Sequence, residues 1–113
     1  MDTITYGDFR KADIRLGVVE DVQDFPQAKK PAYKLKINFG QEIGTRWSSA
    51  QITAHHTKEQ LLGLHVLCVV NFPPKKVGPF TSEVLTLGVA GEKGGWILVA
   101  PSVPGAILGS RLE

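Results

Sequence analysis

The chain has 113 residues, a net charge of +2 and a single cysteine. That length accommodates one domain core and not two, and one cysteine excludes an internal disulfide framework. No stretch approaches the roughly 20 apolar residues of a membrane-spanning helix, and Met1-Asp2-Thr3-Ile4-Thr5 lacks the basic start and apolar run of a secretory leader. The expectation is one domain over residues 1–113, in the cytoplasm, with no membrane insertion.

The small net charge hides segregation. Met1 to Asp24 carries six acids against three bases, whereas Phe25 to Ser82 carries eight bases against two acids. A basic middle attracts anions, although lysines also solvate exposed strand faces.

In chain order, Tyr6 to Ala12 reads as a short helical turn and Arg15 to Val22 as a first strand, with Val18, Val19 and Val22 as β-branched bulk. Asp24 to Pro31 reads as a loop, because Pro26 and Pro31 donate no ladder hydrogen bond. Tyr33, Leu35, Ile37 and Phe39 alternate with Lys34, Lys36 and Asn38, which predicts a strand with one face on the core. Lys34 and Lys36 then share the solvent face, about 7 Å apart. Gly40 and Gly44 bracket a turn, and Thr45 to Ile52 forms a third strand. Thr57 and Gln60 have capping-box spacing, opening a helix of about two turns that Gly63 ends.

His65 to Phe72 is a run of apolar strand formers. It contains Cys68, read as a small buried residue rather than a nucleophile. Pro73 to Phe80 reads as a basic, proline-braced loop. Glu83 to Val89 and Gly95 to Ala100 are the last strands, joined by the turn Ala90 to Gly94. Short strands, regular turns and one helix between strands three and four predict an all-β, five-stranded Greek-key barrel of the OB-fold kind with terminal extensions. A β-sandwich would not need a helix there.

The stretch from Val70 to Gly88 has an ordered pattern: an apolar strand end, Asn71, the Pro-basic loop Pro73-Pro74-Lys75-Lys76, Gly78, then Ser82-Glu83 before the next strand. It resembles the signature of the tRNA-binding domain family, which includes the C-terminal domain of bacterial methionyl-tRNA synthetase and the N-terminal domain of the phenylalanyl-tRNA synthetase β chain. Asp13 to Val19 is similar to that family's first strand. Asp24-Phe25-Pro26, Asn38-Phe39-Gly40, Ser48 to Thr53 and Asn71 to Lys75 resemble a small export-related chaperone within it. The resemblance covers nearly the whole chain, with about 8–110 as the family domain. It implies an OB-fold homodimer whose chain ends, including Val103 to Leu108, contribute to the interface. It also implies binding of tRNA, of unfolded or presequence-bearing polypeptides, or of both. Many synthetase domains have Ser-Glu-Gly-Met where this chain has Ser82-Glu83-Val84-Leu85, so their tRNA affinity does not transfer automatically.

OB barrels bind on a face of the early strands, flanked by loops. Lys34, Lys36, Arg46, Trp47, Ser49 and Gln51 fall on those strands, and Phe72, Pro74, Lys75, Lys76 and Ser82 on or beside the stiffened loop. The expectation is convergence on one open groove. There the bases neutralise phosphates, Trp47 stacks on a splayed base, and Ser49, Gln51 and Asn71 bond base edges or a peptide backbone. Trp47, Phe72, Phe80 and the loop prolines could equally form an apolar groove for a polypeptide. Plainer roles stand beside these: core packing for Trp47, a turn cap for Asn71, loop fixing for Ser82 and Glu83, and solvation for Lys75 and Lys76.

No catalytic constellation is visible. His55 and His56 are adjacent, so they are poor joint metal ligands, and His65 begins a strand. Ser49 has no assignable base, and there is no P-loop or GxGxxG motif. The expectation is a binding protein without cofactor or metal, not an enzyme.

Overall fold

The computed structural model describes all residues, 1–113. Its strands are β1 (Ile14–Asp24), β2 (Tyr33–Asn38), β3 (Thr45–Ala50), β4 (His65–Val69), β5 (Lys75–Val77), β6 (Phe80–Ser82), β7 (Leu85–Thr86), β8 (Gly88–Ala90) and β9 (Trp96–Leu98). Two short helices accompany them, α1 (Tyr6–Arg10) and α2 (Lys58–Leu61). Five strands form one antiparallel sheet in the order β3-β2-β1-β4-β7. This sheet curls into a nearly closed barrel, the OB-fold architecture expected from the strand and helix order.

The period-two pattern of β2 explains the interior. Leu35 and Ile37 are fully buried and Phe39 nearly so, while Lys34, Lys36 and Asn38 face outward. Val19, Ile52, Leu61, Val66, Cys68 and Val84 complete the cluster. Each fully buried aliphatic side chain contributes about 1.5–3 kcal/mol. Gly17 lets this core close: a Cβ there would collide with Ile37 and the Phe39 ring. A register shift between Val19 and Asp21 bends β1, so its first half pairs with β4 and its second half with β2.

Elsewhere the structure departs from expectation in instructive ways. The helix after β3 has one turn, not two. Thr57 and Gln60 form the predicted capping box, but Leu62 is already extended and Gly63 turns back at φ +82°. Leu61, fully buried, is what that single turn delivers to the core. The supposed loop Pro73 to Phe80 contains a hairpin, β5–β6, with Lys75 opposite Ser82 and Val77 opposite Phe80. Gly78 and Pro79 make its two-residue turn, with Gly78 at φ +59° in the first central position, as a type II′ turn requires. The predicted strand Glu83 to Val89 is divided between β7 and β8, and β8 pairs with β9 in a separate hairpin.

The barrel seam between β3 and the chain after β6 is made largely by side chains. Glu83 N–H donates to the Trp47 carbonyl (2.7 Å), and Trp47 N–H donates to Glu83 Oε1 (2.9 Å). Ser49 N–H donates to Ser82 Oγ (3.1 Å), whose hydroxyl donates on to the Val84 carbonyl. At the opposite end the termini clasp β1. Gly109 and Leu112 donate to the carbonyls of Leu16 and Ile14, and Leu16 donates to Ser110. Glu113 accepts from Tyr6 and Arg10, and Arg15 pairs with Asp13 at 2.7 Å.

Candidate nucleic-acid and peptide interface

The β5–β6 hairpin stands on the outer face of β2 and β3 and divides it into two clefts. Cross-strand register puts Lys34 opposite Ser49, and Lys36 opposite Trp47. Those four residues therefore share one sheet face. Arg46 lies opposite Ile37 and alternates with Trp47, so it belongs to the other face of β3. Its guanidinium donates to the neighbouring Thr45 carbonyl. Strand parity carried that information, and Arg46 does not join the tryptophan.

The first cleft, about 450 Å³, is lined by Gln23, Lys34, Trp47, Pro74, Phe80, Thr81 and Glu83. Two of its lining residues, Trp47 and Phe80, are aromatic. Phe80 packs edge-on against Trp47, with centroids 6.3 Å apart, and against the buried Phe25 at 5.4 Å. The Lys34 ammonium sits 5.0 Å from the Phe25 ring centroid and 5.3 Å from that of Phe80. Such a position holds the cation in place while leaving its hydrogen-bond donors unspent.

The second cleft is larger, about 950 Å³, and lies on the other side of the hairpin. Ser49, Gln51, Lys75, Lys76 and Ser82 line it, together with Lys29 and Lys30 from the β1–β2 loop and Trp96 from β9. Its floor is apolar, from Ala50, Ile52, Val77, Leu85, Leu87 and Leu98, and no carboxylate lines it. Lys29, Lys30, Lys34, Lys36, Lys75 and Lys76 form no ion pair, whereas Arg10, Lys11, Arg15, Lys58 and Arg111 all do. Arg46, on the opposite face of β3, and Lys93, in the β8–β9 turn, also form no ion pair, so six of the eight bases without one lie on this side of the barrel.

The twelve residues expected to converge are therefore split. Lys34, Trp47 and Pro74 meet in the aromatic cleft; Ser49, Gln51, Lys75, Lys76 and Ser82 meet in the lysine-rimmed one. Lys36 lines neither, although it shares their sheet face. Phe72 is 51% exposed on the turn after β4, outside both. Asn71 uses both ends of its amide within the chain: Oδ1 accepts from Asp13 N–H and Nδ2 donates to the Lys11 carbonyl. It ties the N-terminal segment to β4, which is the capping role.

Lys29, Lys30, Gln23, Phe25 and Trp96 were not among the expected site residues. A lysine pair between two prolines occurs twice in the chain, at Lys29-Lys30 and Lys75-Lys76, and that echo was the available signal for the first pair. Cys68 is fully buried, and that burial pushes its thiol up to about 12 despite a bond to Thr86. It is a packing residue. His55 and His56 brace the β8–β9 hairpin, contacting the Gly94 carbonyl and the Leu98 N–H respectively.

Comparison with known proteins agrees with this architecture. Residues 14–106 match the family model described as a putative tRNA binding domain. The chain belongs to the tRNA-binding domain family. Among solved structures it is similar to the CsaA chaperone protein from Picrophilus torridus, at 48% identity and a TM-score of 0.90 over 98% of this chain and 100% of that one. It is also similar to the chaperone CsaA from Bacillus anthracis, at 40% identity and a TM-score of 0.90 over 99% and 100%. The methionine–tRNA ligase of Nitrosomonas eutropha is 36% identical over 112 residues, which is 99% of this chain and 15% of the ligase. The chain spans 12% to 15% of the length of the curated methionine–tRNA ligases it matches. No helix is long and apolar enough to cross a membrane.

Proposed function

We propose that this protein binds tRNA and acts, in the manner of CsaA, as a non-catalytic chaperone for unfolded or export-destined polypeptides in the cytoplasm. The observation that carries the reading is the second cleft, where four lysines and no carboxylate surround an apolar floor. The lysines suit phosphates through counterion release. The floor suits apolar side chains of varied sequence. The whole-length similarity to two CsaA proteins supports the chaperone half, and the family model supports the RNA half.

A pair of chains completes the proposal. Val103 and Ile107 are 69% and 76% exposed beside the clasped termini, an apolar end suited to a second copy. Sedimentation should give a dimer, and Ile107→Asp should shift it toward monomer.

The similarity to methionine–tRNA ligases favours a second reading, a tRNA-handling module that assists synthetases without chaperone activity. Two assays separate them. Gel-shift titration with bulk tRNA tests the shared RNA half. Light scattering of a chemically denatured client tests the chaperone half: suppressed aggregation at small molar excess supports it, and unchanged scattering with intact tRNA binding leaves only the second reading.

A further inference from the structure

We infer that the aromatic cleft is a slot for one unpaired guanine of a bound RNA, with Glu83 selecting the base. The inference rests on the RNA-binding reading above and adds to it a base preference and a separate place.

The cleft is an open depression of about 450 Å³ beside Trp47 and Phe80. Trp47 offers a stacking surface, braced edge-on by Phe80 at an interplanar angle of 86°. Lys34 has no hydrogen bond or ion pair within the chain, so its ammonium is free to meet a phosphate or a carbonyl oxygen. Glu83 Oε1 accepts the Trp47 N–H and keeps a second lone pair, and Oε2 has no partner within the chain, so both oxygens can accept from a pair of donors. An ionised carboxylate only accepts hydrogen bonds. On their Watson–Crick edges, adenine and cytosine each set one amino group beside an acceptor, and uracil sets its N–H between two carbonyls. Guanine alone offers two adjacent donors, N1–H and the 2-amino group. Single-stranded RNA exposes this edge.

A charged peptide side chain of either sign meets one opposite and one like charge there, Lys34 and Glu83, and answers only one of them. A guanine nucleotide carries an anion for the first and N–H donors for the second. The slot also adjoins the lysine-rimmed cleft across a single hairpin, so one strand could seat its phosphates in one and a base in the other.

The test is an NMR titration of the full chain with GMP, AMP, CMP and UMP. It follows the indole N–H resonances of Trp47 and Trp96, assigned with Trp47→Phe. The expected result is a shift of the Trp47 resonance with half-saturation at least about fivefold lower for GMP than for UMP, the lower end of what a bidentate base contact discriminates. Trp96 should stay still. In Glu83→Gln the carbonyl oxygen still accepts from Trp47 N–H, but the free position becomes a donor, so the guanine preference should vanish. Lys34→Met should weaken all four nucleotides together and keep their order.

Equal responses to all four nucleotides, no response at millimolar concentration, or a stronger response to an Asp-Phe dipeptide would overturn the slot. The four-nucleotide ratio in the unaltered protein decides the matter even if a variant does not fold. Gel-shift with tRNA in the same buffer reads the underlying function separately. Bound tRNA without guanine preference removes the slot alone, and guanine preference without bound tRNA supports the slot and removes the tRNA reading.

Discussion

The two sides of the β5–β6 hairpin are built from the same sheet face yet differ in chemistry. One side is a smaller, open cleft in which a single ammonium lies over Phe25 and Phe80 and Glu83 is part of the lining. The other is larger, with four lysines, two on the β1–β2 loop and two on β5, above an apolar floor. Long-range attraction to a polyanion needs many unpaired cations and little geometry. Recognition of one group needs fixed walls and few charges. One strand register supplies both because a hairpin separates the two clefts.

The boundary between the clefts is the seam made by Ser82 and Glu83, and breaking it should have the largest effect. Glu83→Ala leaves the Trp47 N–H without its charged acceptor, at a cost of about 1.5–3 kcal/mol. Thermal unfolding should register this as a clear loss of Tm. Next in size, Trp47→Ala should weaken single-stranded RNA binding by about 1–3 kcal/mol. Its salt dependence should be unchanged, because no cation is lost; a flatter salt slope would mean that the two clefts do not divide the work. Ser82→Ala removes the acceptor for Ser49 N–H and should cost about 0.5–1.5 kcal/mol in chemical denaturation.

The smallest effect is expected at the far end, which serves as a control for both clefts. The hydrogen bond from Arg15 holds the Asp13 carboxyl below the usual carboxylate range, helped by the charges of Arg15, Arg111 and Arg10. A depressed folded-state value means the stabilisation is complete above the ordinary range and is lost as pH falls through that value. Asp13→Asn should therefore cost about 0.2–1 kcal/mol at neutral pH. The difference from the unaltered protein should shrink toward zero in acid, with tRNA affinity unaffected throughout.

Much of the barrel was legible because its determinants are local. The alternation in Tyr33 to Phe39, the Thr57–Gln60 box and the paired glycines each name their structure within a few residues. What escaped depended on partners distant in sequence. Nothing near Lys75 announces that it pairs with Ser82, and a proline-rich run hid a two-residue turn at Gly78-Pro79. The candidate site followed the same division. By period two, Trp47 and Ser49 share one face of β3 and Arg46 takes the other, which membership of the same strand does not reveal. The split into two clefts required knowing where the hairpin stands, and that is set by Phe80 packing on Phe25 and Trp47.

Under the proposed function, the lysine-rimmed cleft carries the phosphate contacts. The most direct test is the salt dependence of tRNA binding for the unaltered chain and for a variant with Lys29, Lys30, Lys75 and Lys76 all changed to alanine. If all four lysines meet phosphates, the variant's slope of log affinity against log salt should be shallower by about 2.8 to 3.6, at about 0.7–0.9 per contact. Two parallel lines, with slopes equal within error, would contradict the claim.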